Sequence, residues 1–199
     1  MPLTTRSLRL RRTHPAAAFL LAVTAAAWWP AQVQATTPEP TVSAALQDKQ
    51  VQGNARLRVW GFEVYDAKLW AGANFDAQRY EQHRFALELN YLRSFKGSAI
   101  AERSIDEMRG IAAITPEQAA RWLAAMGTLF PDVQRGDRIT GVHVPGSGAR
   151  FYFNGRLRGE LADDAFSRLF FGIWLSPKTS QPAMRATLIQ AAGAPARTP

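Results

Sequence analysis

Three short strand-forming runs in the C-terminal half set the strongest limit on how this chain folds. They span residues 138–144, 150–153 and 156–161, and turn residues separate them, first Pro145-Gly146-Ser147-Gly148 and then Asn154-Gly155. Asn-Gly between two such runs is typical of a two-residue β-hairpin loop. The pattern therefore predicts a three-stranded antiparallel meander.

Three further strands are predicted earlier in the chain. Residues 56–60 and 62–70 follow a turn at Gly53-Asn54, and residues 85–91 form the third run. All three are rich in β-branched and aromatic residues. Strict alternation in the second run puts Phe62, Val64 and Asp66 on one face, and Glu63, Tyr65, Ala67 and Leu69 on the other.

Helices are predicted between and after the strands from their capping residues. The predicted N-caps are Ser104 with Glu107, Thr115 with Pro116 and Gln118, Asp163 or Asp164, and Ser180 with Pro182. Strands, helices, a strand meander and helices again, in that order, favour an α+β fold over an alternating α/β fold.

The first 35 residues are typical of a cleaved secretory signal. Four arginines precede an apolar run from Ala16 to Trp29, and Val33-Gln34-Ala35 supplies small residues for cleavage. The run is shorter than the roughly 20 residues that span a bilayer. We therefore expect a signal at 1–35, a flexible spacer at 36–45, one domain at 46–191, a frayed tail at 192–199, a periplasmic location and no transmembrane span after cleavage.

Removing this signal halves the net charge. The chain has 24 Lys and Arg against 16 Asp and Glu, a net charge of +8, and the signal holds four of the arginines and no acid. The remainder is +4, with its basic residues scattered rather than collected in one stripe. The sequence therefore does not predict a nucleic acid partner.

Few residues are suited to covalent or metal chemistry. The chain has no cysteine, and outside the signal its histidines are His83 and His143, sixty positions apart. No phosphate loop or dinucleotide fingerprint is present, and Ser147, though near His143, fits a hairpin turn. We expect no metal site and no cofactor.

Polar side chains on aromatic strands are the remaining candidates. Arg56, Arg58, Tyr65 and Tyr91 lie on predicted strands. An inward arginine is costly unless it is paired, so a buried one is expected to meet an anion, whereas one at the rim packs its stem on the sheet. Several aromatic side chains either line an apolar pocket or fill the core: Trp60, Trp70, Trp122, Trp174, Phe170 and Phe171.

Three segments together resemble the chalcone isomerase-like superfamily, in particular its short exported bacterial branch. They cover residues 53–70, residues 130–138, and residues 153–185 with Phe153-Asn154-Gly155, Phe170-Phe171-Gly172-Ile173-Trp174 and Arg185. The resemblance extends over roughly residues 40 to 190 and depends on the order and spacing of the segments. It implies an open-faced β-sandwich, with helices packed on one face of an antiparallel sheet and a cleft between the two layers.

The resemblance also implies site residues. Arg56 matches the arginine that meets the carboxylate in fatty-acid-binding relatives, and Tyr65 falls near a catalytic threonine of the plant enzymes, which add a phenoxide to an enone. Ser98 is the nearest counterpart of a plant active-site tyrosine. With Tyr91, these residues form the predicted ligand site.

Three functions follow as hypotheses. The first is a non-catalytic module that binds a small apolar acid, such as a fatty acid, with Arg56 as the carboxylate anchor. The second is an accessory protein of the envelope, with an envelope protein as partner. The third, ranked lowest, is an isomerase or intramolecular lyase acting on a small enone or aromatic substrate. An unpaired Arg56 beside a cavity would favour the first hypothesis.

Overall fold

A computed structural model describes residues 41–190 of this 199-residue chain. The predicted signal at 1–35, the first part of the predicted spacer and the predicted tail at 192–199 lie outside the described residues. Within 41–190, no helix is both long and apolar enough to cross a membrane.

Six antiparallel strands form one sheet in which each strand pairs with the next along the chain. The strands are β1 (Gln50–Val59), β2 (Phe62–Ala71), β3 (Phe85–Tyr91), β4 (Arg138–Val144), β5 (Gly148–Phe153) and β6 (Arg156–Leu161). The last three strands confirm the predicted meander, and Asn154-Gly155 forms its tight turn with both φ angles positive.

Most of the helices pack on one of the two faces of the sheet. The helices are α1 (Val42–Leu46), α2 (Gly97–Ile111), α3 (Pro116–Leu129), α4 (Asp164–Leu175) and α5 (Pro182–Leu188), and a 3-10 helix spans Ala77–Gln82. The main core lies between the sheet and α2 to α5. The predicted α+β architecture with helices on one face of an antiparallel sheet is therefore confirmed.

The opposite face of the sheet is covered in part by α1, which the sequence did not predict. Ala45 of α1 is buried in a small second cluster with Ala86, Val142 and Tyr152. The flexible spacer predicted at 36–45 includes residues 42–45. The prediction is wrong for these four residues, because they belong to a helix that packs on the sheet.

Two of the predicted helix starts are confirmed in detail. Thr115 Oγ1 accepts from the backbone N–H of Gln118, whose side chain in turn accepts from the N–H of Thr115, which is a complete capping box. Asp163 caps α4 by accepting from the N–H of Phe166 at 2.9 Å.

The other two predicted starts are wrong. Ser104 lies buried in the middle of α2, where its hydroxyl donates to the carbonyl of Ile100. The helix begins earlier, at Gly97, and its N-terminus is bound by a residue distant in sequence: Asp132 accepts from the N–H of Gly97 at 3.0 Å. At α5 the N-cap is Gln181 rather than Ser180, and Pro182 opens the helix.

A β-bulge in β2 corrects the predicted side-chain directions. Leu57 pairs with Tyr65 and Arg58 pairs with Glu63, so Val64 is one residue too many on its strand. A bulge of this kind interrupts strict alternation. Glu63 and Asp66 consequently lie on the same face, opposite to Tyr65, whereas alternation had grouped Glu63 with Tyr65.

Candidate functional site

A cleft of about 620 Å³ opens between one end of the sheet and the helices. Its floor is formed by the helix-facing side chains of β1, β2 and β3, and its roof by α2 and α4. The apolar lining includes Leu57, Val59, Trp60, Phe62, Val64, Leu89, Phe95, Ile100, Phe130, Phe170, Ile173 and Trp174. The volume and the apolar lining are in the range of small-molecule sites.

Two tyrosines supply polar groups to this apolar wall. Tyr65 and Tyr91 are paired across β2 and β3, and their rings meet edge to face with centroids 6.0 Å apart. The hydroxyl of Tyr65 accepts from Trp174 Nε1 at 3.0 Å, so its own proton remains free to donate.

Tyr91 offers a second free hydroxyl. The residue is 3% exposed, yet its hydroxyl has no hydrogen-bond partner among residues 41–190. The hydroxyl oxygen is not fully enclosed, and Tyr91 lines the cleft, so a molecule in the cleft can reach this oxygen. A buried hydroxyl without a partner is costly, and a bound ligand or water would supply the missing bond.

Burial determines the protonation of both tyrosines. It raises the pKa of Tyr65 to about 12, against a smaller opposing effect of the Trp174 hydrogen bond, and it raises the pKa of Tyr91 still further above its ordinary value. Both hydroxyls are therefore neutral near pH 7. They are suited to donating hydrogen bonds and poorly suited to accepting a proton as bases.

Two arginines lie at the edge of the cleft. The guanidinium of Arg103 forms an ion pair with Glu107 one helical turn away in α2. Arg93 follows the end of β3 and lies over the ring of Phe62, with 5.0 Å between its guanidinium carbon and the ring centroid. No carboxylate of the described residues pairs with Arg93, which makes it the free cation of this cleft.

Arg56, the predicted carboxylate anchor, lies on the other face of the sheet. Its guanidinium donates to Asp66 from Nε at 2.6 Å and to Glu63 from Nη1 at 2.7 Å. The hydrogen bonds that Arg56 donates to these carboxylates, Asp66 foremost, raise the pKa of Arg56 above its ordinary value. The residue of this strand segment that faces the cleft is Leu57.

The predicted role of Arg56 therefore needs correction. Since its side chain points away from the cleft, it cannot contact a ligand there, and both of its neighbouring carboxylates already neutralise it. It contributes instead to a polar groove of about 550 Å³ on the open face, with Asn54, Lys68, Glu88, Asn90 and Arg138. The strand register is the physical reason: Arg56 pairs with Asp66, whereas its neighbour Leu57 pairs with Tyr65 and faces the cleft, and the β2 bulge then adds Glu63 to the Arg56 side.

Ser98 is also not part of the cleft lining. It is exposed in the first turn of α2, whereas the next two residues, Ala99 and Ile100, face the cleft. Of the four predicted site residues, the structure brings Tyr65 and Tyr91 together and leaves Arg56 and Ser98 outside. Sequence reasoning missed Arg93, and the signal for it was its position two residues after Tyr91 at the end of a strand.

The aromatic residues divide between pocket and core. Trp60, Phe170 and Trp174 line the cleft, whereas Trp122 and Phe171 are fully buried in the main core. Trp70 packs against the second cluster on the other face.

A buried histidine lies next to a serine, His143 beside Ser167, and both ring nitrogens of the histidine are hydrogen-bonded within the core. His143 is completely buried, its Nδ1 lies 2.7 Å from Ser167 Oγ, and its Nε2 lies 2.9 Å from the carbonyl oxygen of Glu81. Ser147, the serine considered from the sequence, is exposed in the β4–β5 turn. Within residues 41–190 there is also no group of three side chains suited to hold a metal ion.

Comparisons with known proteins agree with this architecture. No curated protein sequence matches the chain closely enough to count as a relative. Among solved structures, the chain resembles the fatty-acid binding protein AtFAP1 of Arabidopsis thaliana with a TM-score of 0.59 at 10% identity, over 73% of this chain and 88% of that one. At this identity the likeness concerns the fold. The chalcone isomerase-like family model matches residues 31–190, and this chain belongs to that family.

Proposed function

We propose that this chain is an exported, non-catalytic binding protein for a small apolar acid of the fatty-acid class, held in the cleft between sheet and helices. The observation that carries the proposal is the combination of an apolar cleft of about 620 Å³ with the unpartnered hydroxyl of Tyr91 and the unpaired guanidinium of Arg93. The fold shared with a protein described as fatty-acid binding is consistent with it.

The position of the charges orients the ligand. A carboxylate deep in the cleft would lose its hydration and find neutral tyrosines, which is expensive for an ion without a cationic partner. At the edge it would meet Arg93, which is exposed and already held in place over Phe62. We therefore assign the carboxylate to Arg93 and the apolar tail to the interior, where Tyr65 and Tyr91 donate to a second polar group or to an enclosed water.

Binding is favoured over proton transfer by the same residues. The tyrosines remain protonated near pH 7, and Glu107, the carboxylate that lines the cleft, is engaged by Arg103. Such a set can hold and orient a ligand without abstracting a proton from it.

A ligand titration with matched variants tests the proposal. Displacement of a fluorescent fatty acid from the purified protein gives the affinity for palmitate and for its methyl ester. The wild type should prefer the acid, and Arg93→Gln should weaken acid binding by roughly tenfold, since a charge-assisted hydrogen bond contributes about 1.5–3 kcal/mol and this one is partly exposed to water. The methyl ester should bind both proteins equally.

Arg56→Gln is the matched control, because it removes an arginine of β1 from the opposite face of the sheet. It should leave the affinity for palmitate unchanged. If Arg56→Gln weakens binding and Arg93→Gln does not, the assigned orientation is wrong. If the wild type binds neither acid nor ester, the proposed function is wrong.

Export is tested separately. Expression of the complete chain in a Gram-negative host, followed by N-terminal sequencing of the periplasmic fraction, should give a protein that begins close after Ala35. Recovery of the uncleaved chain in the membrane fraction would contradict the expectation of a cleaved signal.

A further inference from the structure

The tip of the β1–β2 hairpin exposes an unusual concentration of apolar side chains. Among residues 41–190, the large hydrophobic side chains that are well exposed are Val51, Val59, Trp60, Phe62 and Leu123, and three of these five belong to this one turn. Trp60 is 95% exposed and Phe62 is 60% exposed. Apolar clusters of this kind on a protein surface mark contact sites.

The backbone makes the tryptophan more unusual. Trp60 and Gly61 form the two-residue turn between Val59 and Phe62, and both have positive φ, +50° and +82°. Asn and Gly are the residues favoured at such positions, and the chain uses them in its other tight hairpin at Asn154-Gly155, where φ is +49° and +87°. A bulky side chain in this conformation, without packing to support it, indicates a role outside the folded domain.

Arginines flank the exposed aromatic residues. Arg58 precedes the turn with a side chain that is 59% exposed and donates from Nη2 to Glu63 at 2.9 Å. Arg93 lies on the ring of Phe62 and has no carboxylate partner among residues 41–190. The acidic residues of the hairpin are therefore both paired, Asp66 with Arg56, and Glu63 with Arg56 and Arg58. A tryptophan beside arginines matches a membrane interface, where indole rings lie at headgroup level and guanidinium groups bind phosphate.

We propose that this hairpin tip, defined by Val59, Trp60 and Phe62 with Arg58 and Arg93, docks on the surface of a phospholipid bilayer. A convex tip of a few side chains suits insertion between headgroups better than a protein interface, which buries about 800 Å² on each partner. The same three apolar residues line the edge of the cleft. An apolar ligand can therefore pass between the membrane and the cleft along these three side chains. The passage of a ligand rests on the proposed function, whereas docking on the membrane does not.

Fluorescence quenching by brominated lipid tests the docking directly. Wild-type protein and Trp60→Asn are titrated, without fatty acid, with vesicles of phosphatidylcholine with and without phosphatidylglycerol, brominated in the acyl chains. Asn suits the positive φ, so the variant reproduces the Asn-Gly turn found at 154–155. Without vesicles, the difference between the two emission spectra is the emission of Trp60.

The expected result is that the Trp60 emission shifts to the blue and is quenched, more strongly when phosphatidylglycerol is present and less at high salt. Trp60→Asn should lower the vesicle affinity by about tenfold or more, since an indole buries a large apolar area. Leu123→Asn, which removes an exposed apolar side chain from α3, should not change it.

Unquenched Trp60 emission, or equal vesicle affinity of wild type and Trp60→Asn, would overturn the docking proposal. A concentration-dependent dimer that shields Trp60 in the absence of lipid would overturn it as well. The two proposals can be refuted separately. If the protein docks on vesicles but does not bind palmitate, the proposed ligand is wrong. If it binds palmitate but does not dock, the proposed membrane contact is wrong.

Discussion

Asp163 connects α3 with α4 and provides the sharpest stability prediction. One carboxylate oxygen accepts from the N–H of Phe166 and caps α4, and the other accepts from Trp122 Nε1 of α3 at 2.8 Å. Burial alone would raise the pKa of Asp163, but these hydrogen bonds, with a longer one from Arg121, outweigh it and lower the pKa. The side chain is therefore ionised at neutral pH and serves both helices.

Replacing Asp163 with Ala removes both interactions. Loss of an N-cap costs about 1 kcal/mol, and a buried donor left without a partner costs about 1–3 kcal/mol more. Trp122 is 0% exposed, so its indole N–H is a buried donor of this kind. The exposed contact with Arg121 at 3.4 Å adds little. We expect Asp163→Ala to lower the free energy of unfolding by about 2–4 kcal/mol, and Tm by about 5–15 °C.

A double-mutant cycle separates the two contributions. Urea unfolding is measured for the wild type, Asp163→Ala, Trp122→Phe and the double variant. In the Trp122→Phe background the indole N–H is gone, so Asp163→Ala should cost the cap alone, about 1 kcal/mol. If Asp163→Ala costs the same in both backgrounds, the indole–carboxylate bond contributes nothing and the reasoning is refuted.

Three further predictions concern the core, the pH dependence of stability and the cleft. Gly97→Ala should destabilise the fold by about 1–3 kcal/mol, because a Cβ there would lie 2.1 Å from the carbonyl oxygen of Phe130. Gly110 in the same helix has free space around it, so Gly110→Ala should stabilise the fold by about 0.5–1 kcal/mol. Equal shifts in Tm for the two variants would contradict this reasoning. Burial lowers the pKa of His143 in the folded protein, so the fold favours the neutral ring, and Tm should fall as the pH drops below about 6.5. In His143→Gln the dependence of Tm on pH in this range should be weaker. An unchanged slope would rule out His143 as the cause. Tyr91→Phe should weaken ligand binding by about threefold to tenfold in the displacement titration, and an unchanged affinity would show that its hydroxyl meets no ligand.

The fold was largely predictable from local signals. The strand meander follows from its turn residues, and α3 and α4 begin at the expected Thr115 and Asp163, because in both cases the cap and the helix are neighbours in sequence. The start of α2 was not predictable in this way. Its first N–H, that of Gly97, is bound by Asp132, 35 residues further along the chain, so the local pattern at Ser104 predicted an N-cap eight residues after the observed one, Lys96.

The site was predictable in part. Tyr65 and Tyr91 lie on strands that were predicted, but the face of Arg56 depends on the register between β1 and β2, in which Arg56 pairs with Asp66 and Leu57 with Tyr65. The sequence of β1 alone does not specify that register. Arg93 was missed because it follows its strand, and only the three-dimensional arrangement shows that it lies over Phe62 without a carboxylate partner in the described part of the chain.

We expect the cleft to hold an apolar acid with its carboxylate at Arg93. A crystal structure of the protein with a terminally brominated fatty acid tests this expectation, since the anomalous signal locates the bromine. The bromine should lie between the sheet and α4, near Tyr65 and Trp174, and the carboxylate should lie within hydrogen-bond distance of Arg93. A fatty acid bound in the polar groove of the opposite face, with its carboxylate at Arg56, would contradict it.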